Sequence, residues 1–238
     1  EPEQWKSGGI WSREKVDLSQ PLTLSFEFYM GEGNANSWQG NGADGISVSF
    51  TQTLPDEFEE GENQGFYGTG SFGVEYDTWY NSHRGDPRCD HVAIIKDSVS
   101  SHVSTKQYTD SELDDANWHT TEILYQNGSL TVTVDGVAAC ECEEGVLPSV
   151  PSAYICIAAA TGTFTNRHMV RNVKINDQSI SFAGDEEEDL PNSDYSVERD
   201  GFCFVNGYEG FNYPENYSIG RERYEEVFGD AGRLLYNT

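Results

Sequence analysis

Between residues 74 and 91 the chain reads Val74-Glu75-Tyr76-Asp77-Thr78-Trp79-Tyr80-Asn81, then Gly85-Asp86-Pro87, then His91. Positions 75, 77, 79 and 81 share one parity, so on a strand Glu75, Asp77 and Asn81 project from one face with an aromatic between them. Asp86 and His91 return from the following loop and strand. The stretch therefore gathers three carboxylates, an amide and an imidazole. Oxygen donors alone suit Ca2+, whereas an imidazole among carboxylates suits a transition ion such as Mn2+. A central carboxylate, Asp77 or Asp86, can bridge two neighbouring ions. The plain alternative is a strand with exposed acids followed by a turn, and spacing alone leaves both readings open.

The elements that would hold these side chains are strands. Leu22, Leu24, Phe26 and Phe28 interleave with Thr23, Ser25 and Glu27, and Ile46, Val48 and Phe50 interleave with Ser47 and Ser49. A period of 2 marks strands. Ile123, Leu124 and Tyr125, then Asn127-Gly128, then Leu130, Val132 and Val134 predict a hairpin closed by a type I′ turn. Residues 153–160 and 169–175 complete the set, and residues 221–228 read as a short helical stretch. Short strands with Gly, Asn and Asp turns between them predict an all-β antiparallel sandwich. The acidic run 185–189 reads as part of a solvated linker, with a calcium-binding loop as the other reading.

Composition narrows the partners. Among 238 residues, 41 Asp and Glu outweigh 14 Lys and Arg, giving a formal charge of −27. Nucleic acid and anionic membranes both need a basic footprint, so neither is an expected partner. Aromatics make up 13% of the chain, too many for a disordered acidic segment. No run of about 18 apolar residues predicts a membrane span. The acidity fits a saline or calcium-rich exterior that screens self-repulsion. Asn127-Gly128-Ser129 and Asn216-Tyr217-Ser218 match the N-glycosylation triplet, and the Glu1-Pro2 start has the form of a processed product. Together they predict a secreted or cell-surface protein. Cys89, Cys140, Cys142, Cys156 and Cys203 form no CxxC pair. Cys156, in an apolar run, reads as a buried thiol. His83, His102 and His119 show no convergent partners and read as surface or strand residues.

The 74–91 segment resembles the metal loop of the L-type (legume-type) lectins, the family of concanavalin A. Other motifs follow in family order over residues 8–182. Gly42-Ala43-Asp44-Gly45-Ile46 is similar to the family's Ala-Asp-Gly loop, and Trp118-His119 with residues 130–136 is similar to the paired strands after the metal loop. Gly145-Val146-Leu147-Pro148, Ala159-Ala160-Thr161-Gly162 and Asn166-Arg167-His168 resemble the strand and loop near the family's C-terminal end.

The resemblance implies a concanavalin-like jelly-roll sandwich that binds carbohydrate with the help of Ca2+ and Mn2+ or another transition divalent ion. It implies Glu75, Asp77, Asp86 and His91 as transition-ion ligands, and Asp77, Asn81, Asp86 and the Trp79 carbonyl as calcium ligands. Asp44 would accept hydrogen bonds from sugar hydroxyls, after a cis Ala43–Asp44 peptide. Asn81 would donate its amide, Trp79 would supply an aromatic platform, and Gly68 or Gly70 a backbone N–H. Thr163 and Phe164 would lie in the loop that sets sugar preference, and His168 at a structural loop position. This chain departs from the family in carrying Trp79 where Tyr or Phe is commoner, and Thr163-Phe164-Thr165 in place of a Gly-rich stretch. Cys89 falls inside the metal loop, where a bridge to Cys140 or Cys142 is one expectation. The implied partners are glycans or glycoproteins. Single-site affinity is expected on the order of 0.1–1 mM, so an oligomer or a larger assembly would supply avidity.

The order of the chain is shifted relative to the family. The chain starts almost at the Gly8-Gly9-Ile10-Trp11 region, while Phe202-Cys203-Phe204, Asn206-Gly207-Tyr208 and Gly232-Arg233-Leu234-Leu235-Tyr236 resemble the family's opening strands. A circular permutation is predicted: residues 1–182 as the core of the sandwich, 183–200 as an acidic linker, and 201–238 completing the same sandwich. An unrelated docked tail is the alternative. Two further functions compete with sugar binding. One is a structural or adhesion module that keeps its metals and binds no sugar. The other is a glycoside hydrolase, whose Glu-x-Asp-x-x-Glu pattern is nearly met by Glu75 and Asp77, but position 80 is Tyr and the third acid is missing. No catalytic residue is assigned.

Overall fold

The computed structural model describes residues 3–34, 42–54, 58–66, 68–109 and 111–177, and the backbone of 178–179 and 205–206. Along the chain the strands are β1 (Ser7–Trp11), β2 (Val16–Asp17), β3 (Leu22–Gly31), β4 (Gly45–Thr51), β5 (Phe72–Asp77), β6 (His91–Lys96), β7 (His102–Gln107), β8 (Trp118–Gln126), β9 (Ser129–Val134), β10 (Val137–Cys142), β11 (Ser152–Ala160), β12 (Arg167–Ile175), β13 (Gln178–Ser179) and β14 (Val205–Asn206). One antiparallel sheet runs β14-β1-β11-β4-β5-β6-β7, with β2 beside β11, and the other runs β10-β9-β8-β3-β12-β13. This is the all-β jelly-roll sandwich that the alternation and the resemblance predict. No helix among the described residues is long and apolar enough to cross a membrane.

The period of 2 is what makes two sheets face each other. Leu24, Phe28, Ile123, Leu130 and Val132 of one sheet meet Val48, Phe50, Phe72, Val74, Tyr76 and Ile94 of the other in one continuous core. Each fully buried large side chain contributes about 1.5–3 kcal/mol. Phe50 stacks on Phe72 with centroids 5.0 Å apart, and Phe28 meets Tyr76 at 4.8 Å. The buried Tyr76 hydroxyl shares a 2.7 Å hydrogen bond with the Thr121 hydroxyl. The Asn127-Gly128 hairpin forms as predicted: Gln126 pairs with Ser129, and both turn residues have positive φ, 52° and 80°. β4 differs from a half-buried strand, because Ser47 and Ser49 are buried too. Residues 58–66 cover that outer face, and the Ser47 hydroxyl donates to the Gln64 carbonyl at 2.9 Å.

His168 on β12, opposite Met30 of β3, is fully buried. Burial disfavours its charged form and pulls its pKa down to about 3. An unfolded imidazole titrates near about 6.5. Between those limits the unfolded chain takes up a proton that the folded chain refuses. The contribution to stability is therefore full above about pH 6.5 and is lost as pH falls toward about 3, at up to about 1.4 kcal/mol per pH unit. Urea unfolding of the wild type and His168→Gln at about pH 7, 6 and 5 is expected to show their stability difference changing with that slope. A constant difference would contradict a neutral, buried imidazole.

The linker 183–200, Cys203, the expected helical stretch 221–228 and the strand expected at 232–236 lie outside the described residues. Of the segment 201–238, β14 is described, and it pairs antiparallel with β1 through Gly8 and Gly9.

Candidate functional site

The strand ladder of β5 ends at Asp77, which stands opposite Gly45 of β4 and His91 of β6. Tyr76 points into the core, so Glu75 and Asp77 leave the other face together, as parity requires. Parity does not reach Trp79 and Asn81, because the strand has stopped and both lie in the loop 78–90. Turns capped by side chains position them instead. The Trp79 N–H donates to Asp77 Oδ1 at 2.6 Å, and the Asn81 N–H donates to Asp86 Oδ2 at 2.7 Å. The two acids thus fold the loop with one oxygen each and keep the other free.

Glu75, Asp77, Asp86 and His91 are brought together. Donor atoms of Asp77, Asp86 and His91 all lie within 4.8 Å of one another, as do those of Glu75, His91 and His102. Burial, then Asp86 and Glu75, raises the pKa of Asp77 well above the usual carboxylate range. Burial likewise raises that of Asp86. These acids crowd against one another with no Lys or Arg among the donors, while the buried Nδ1 of His91 has no hydrogen-bond partner. A mixed set of carboxylates and imidazole fits a transition divalent ion. Asp77, Asp86, Asn81 and the Trp79 carbonyl offer oxygens and amide only, which fits Ca2+. His102 is the first correction. It is not a lone strand residue, because its Nε2 lies 2.7 Å from Glu75 Oε1 and 3.8 Å from Asp86 Oδ1. The signal for it is the hairpin itself, which returns β7 beside the strand that His91 opens.

Asp44 stands next to this loop, after a cis Ala43–Asp44 peptide. Its carbonyl accepts from the Thr78 N–H at 2.9 Å and the Thr78 hydroxyl at 3.0 Å, and its own N–H donates to the Ala160 carbonyl at 3.0 Å. The carboxylate is only 4% exposed, and its Oδ2 has no partner. Burial, reinforced by the nearby Glu62, pushes its pKa up to about 8. Residues 161–166 form the adjacent wall. The Phe164 ring stacks on Trp79 with centroids 4.6 Å apart, so one face of the expected platform is covered. Thr163 is exposed, and its carbonyl accepts from the Gln4 side-chain amide at 2.5 Å.

Gly68 and Gly70 do not join Asp44, which is a second correction. They precede β5, whereas Asp44 sits beside its far end, about 17 Å along the strand. The Gly70 N–H is also committed, donating to Asp97 at 2.7 Å. Gly162 stands beside the carboxylate, with Gly61 next to it. A methyl on Gly162 would stand 3.1 Å from Asp44 Oδ2, 3.5 Å from the Gly61 Cα and 3.8 Å from the Trp5 ring. The Trp5 N–H donates to the Gly162 carbonyl at 3.1 Å, and the Trp5 ring is half exposed. No spacing signal in the sequence places Trp5 at the site, because backbone pairing across more than 150 residues brings it there.

Other polar residues are structural. His83 and Arg84 hold Glu62 at 2.8 and 2.6 Å. His119 binds Asp135 at 2.8 Å and stacks on Phe28. Among the described residues Cys89, Cys140 and Cys142 form no disulfide with one another, so the expected bridge from Cys89 to Cys140 or Cys142 is not made. The Cys140 thiol instead points inward and donates to the Val92 carbonyl, while Cys89 contacts Gln107. Burial pushes the Cys156 thiol up to about 12.

The architecture has known counterparts. Lectin I-B4 of Griffonia simplicifolia in its metal-free form is 23% identical with a TM-score of 0.57, over 72% of this chain and 83% of that one. The lectin of Bauhinia forficata in complex with GalNAc is 18% identical with a TM-score of 0.59, over 73% and 81%. The exoplasmic/lumenal domain of VIP36, in a Ca2+- and mannose-bound form, is 17% identical with a TM-score of 0.57, over 76% and 77%. At these identities the likeness shows the fold. The legume lectin β-barrel domain profile matches residues 1–174, and with its motifs standing in order on the sandwich just described, this chain belongs to the L-type (legume) lectin domain family.

Proposed function

We propose that this domain binds carbohydrate at the loops around Asp44, and that Ca2+ and a transition divalent ion hold the neighbouring loop 78–90 in place. The observation that carries the reading is the buried Asp44 Oδ2 with no partner. An acceptor kept dry and unsatisfied is costly, and sugar hydroxyls are the donors that fit between it, the neighbouring glycines and the exposed Trp5 ring. Glu75, Asp77, Asp86 and His91 would hold the transition ion, and Asp77, Asn81, Asp86 and the Trp79 carbonyl the calcium ion. Bound there, the ions would supply the positive charge that clustered carboxylates need. Thr78 links that loop to the sugar site, since both its N–H and its hydroxyl hold the Asp44 carbonyl. Asn81 would then offer its amide to the sugar beside Asp44, and Thr163 and Phe164 would border the opening.

The domain is read as a binding module and not an enzyme. Tyr80, where a hydrolase of this layout needs a carboxylate, instead packs under Arg88 at 5.0 Å. The partners are glycans or glycoproteins outside the cell or in a lumen, met at several sites of an oligomer or larger assembly. Segment 201–238 is read as completing the sandwich in permuted order, which the pairing of β14 with β1 supports. A glycan array with and without EDTA tests the function: metal-dependent binding without released sugar is expected, and released sugar would favour a hydrolase. A metal-stapled structural or adhesion module is the second reading, favoured by the covering of Trp79 by Phe164. Silence on the array, with thermal stability still lowered by EDTA, would select it.

Trp5 gives a sharper check. Its ring is 52% exposed, so Trp5→Ala is expected to leave the thermal midpoint unchanged. Loss of an aromatic contact worth about 0.5–1.5 kcal/mol should weaken sugar binding about 2–12-fold. Titration with the array's best monosaccharide measures this, and unchanged affinity would remove Trp5 from the site.

A further inference from the structure

We infer that His102 is a fifth protein ligand of the transition ion, so that two imidazoles from this chain hold it and tilt its selectivity away from Mn2+ toward Zn2+, Co2+ or Ni2+. The inference rests on the metal reading above and adds to it a donor from β7.

Geometry carries it. His102 Nε2 lies 2.7 Å from Glu75 Oε1 but makes no hydrogen bond, although both atoms are shielded from solvent. The ring nitrogen and the carboxylate oxygen are close, yet the N–H direction misses the oxygen. Such a pair aims at a third point instead of at each other. The same Oε1 lies 3.3 Å from His91 Nε2, and the two imidazole rings stand 5.4 Å apart and tilted by 59°. On the other side, His102 Nε2 lies 3.8 Å from Asp86 Oδ1. Donors bound to one ion at about 2.1 Å sit about 3.0 Å apart when adjacent and about 4.2 Å apart when opposite. The observed 2.7, 3.3 and 3.8 Å separations fall in and around that range. The two donor triads share His91, so Glu75, Asp77, Asp86, His91 and His102 form a single cluster. A plain Glu75–His102 ion pair would explain the distance but not the misdirected N–H. Replacing a water or hydroxyl oxygen by a second imidazole favours ions late in the first-row series, where Mn2+ is the weakest binder.

Nitrogen counting tests this directly. The full chain, stripped with chelator and reloaded with Ca2+, is loaded with Cu2+ as a spin probe and studied by pulsed EPR. Two coupled imidazoles are expected in the wild type and one in His102→Ala. Competition titration should show Zn2+ or Co2+ binding weakened at least tenfold in that variant, with Ca2+ binding changed less. His102→Gln, which restores a donor toward Glu75 without a metal-binding nitrogen, should behave like His102→Ala in nitrogen count. One imidazole in the wild type, or unchanged Zn2+ affinity in both variants, overturns the inference and leaves the metal reading standing. A wild type that takes up no transition ion overturns both. The wild-type count depends on no substitution, so a variant that fails to fold does not weaken the test.

Discussion

Asp44→Asn and Asp44→Ala are expected to abolish glycan binding while the domain stays folded. The carboxylate is the group left unsatisfied in the dry interior of the loop cluster. Charge-assisted hydrogen bonds are worth about 1.5–3 kcal/mol each. Losing two of them from a site with roughly 4–5 kcal/mol of binding energy lowers affinity more than about 100-fold, beyond detection on an array. The same change has an opposite signature in stability. Burial holds the Asp44 pKa up to about 8, so in metal-free protein its ionised form opposes folding. That cost is full above about pH 8 and fades as pH falls from about 8 toward about 3.8, at about 1.4 kcal/mol per pH unit. Asp44→Asn should therefore raise the thermal midpoint of the metal-free protein at about pH 9 and do little at about pH 4. Retained glycan binding in either variant would displace Asp44 from the centre of the site. A lowered midpoint at high pH would show that its charge is satisfied after all.

Chelation is expected to remove both sugar binding and a large part of stability. Glu75, Asp77 and Asp86 are almost wholly buried and repel one another, and Asp77 and Asp86 have pKa values raised chiefly by burial. Ions present at about 1,000 times their Kd stabilise the folded state by about 4 kcal/mol each. For a domain of this size each kcal/mol moves Tm by about 2–4 °C, so EDTA should lower it by about 8–16 °C per ion lost. The loss would reach the proposed sugar site through Thr78, whose two hydrogen bonds hold the Asp44 carbonyl. pH sets the size of the effect. Raised pKa values mean that protons compete with cations as pH falls, and protonation also relieves the repulsion in metal-free protein. The gap between loaded and stripped protein should therefore be wide at about pH 8 and narrow at about pH 5. Scanning calorimetry at both pH values measures it, and a Tm indifferent to EDTA at the higher pH would argue against bound ions.

How far the sequence could be read differs from element to element. The strands were readable because alternation at Leu22–Phe28, Ile46–Phe50 and Leu130–Val134 needs only local stereochemistry. The Asn127-Gly128 turn was readable because two consecutive positive φ angles demand those residue types. Glu75 and Asp77 were correctly placed on one face for the same reason. The same parity puts Trp79 and Asn81 on that face, but the strand does not extend to them. The ladder stops at Asp77, and side-chain oxygens of Asp77 and Asp86 direct the chain from that point. For the backbone N–H that reaches the sugar, the family resemblance implies Gly68 or Gly70. The path folds back over β4, so the glycine beside Asp44 is Gly162, with Gly61 next to it and held to Thr161 by a 3.0 Å backbone hydrogen bond.

By itself, the sequence of this protein determined the all-β sandwich, the family and the cluster of Glu75, Asp77, Asp86 and His91, because each of these follows from short-range periodicity or from a compact motif. Only the tertiary structure decided that His102 faces Glu75, that Trp5 and Gly162 close around Asp44, that Phe164 covers Trp79, and that Cys89 does not bridge to Cys140 or Cys142. The first three join residues from 27 to more than 150 positions apart across sheet edges and loops. Their partners are selected by the packing of the whole sandwich, which no local pattern of side chains encodes.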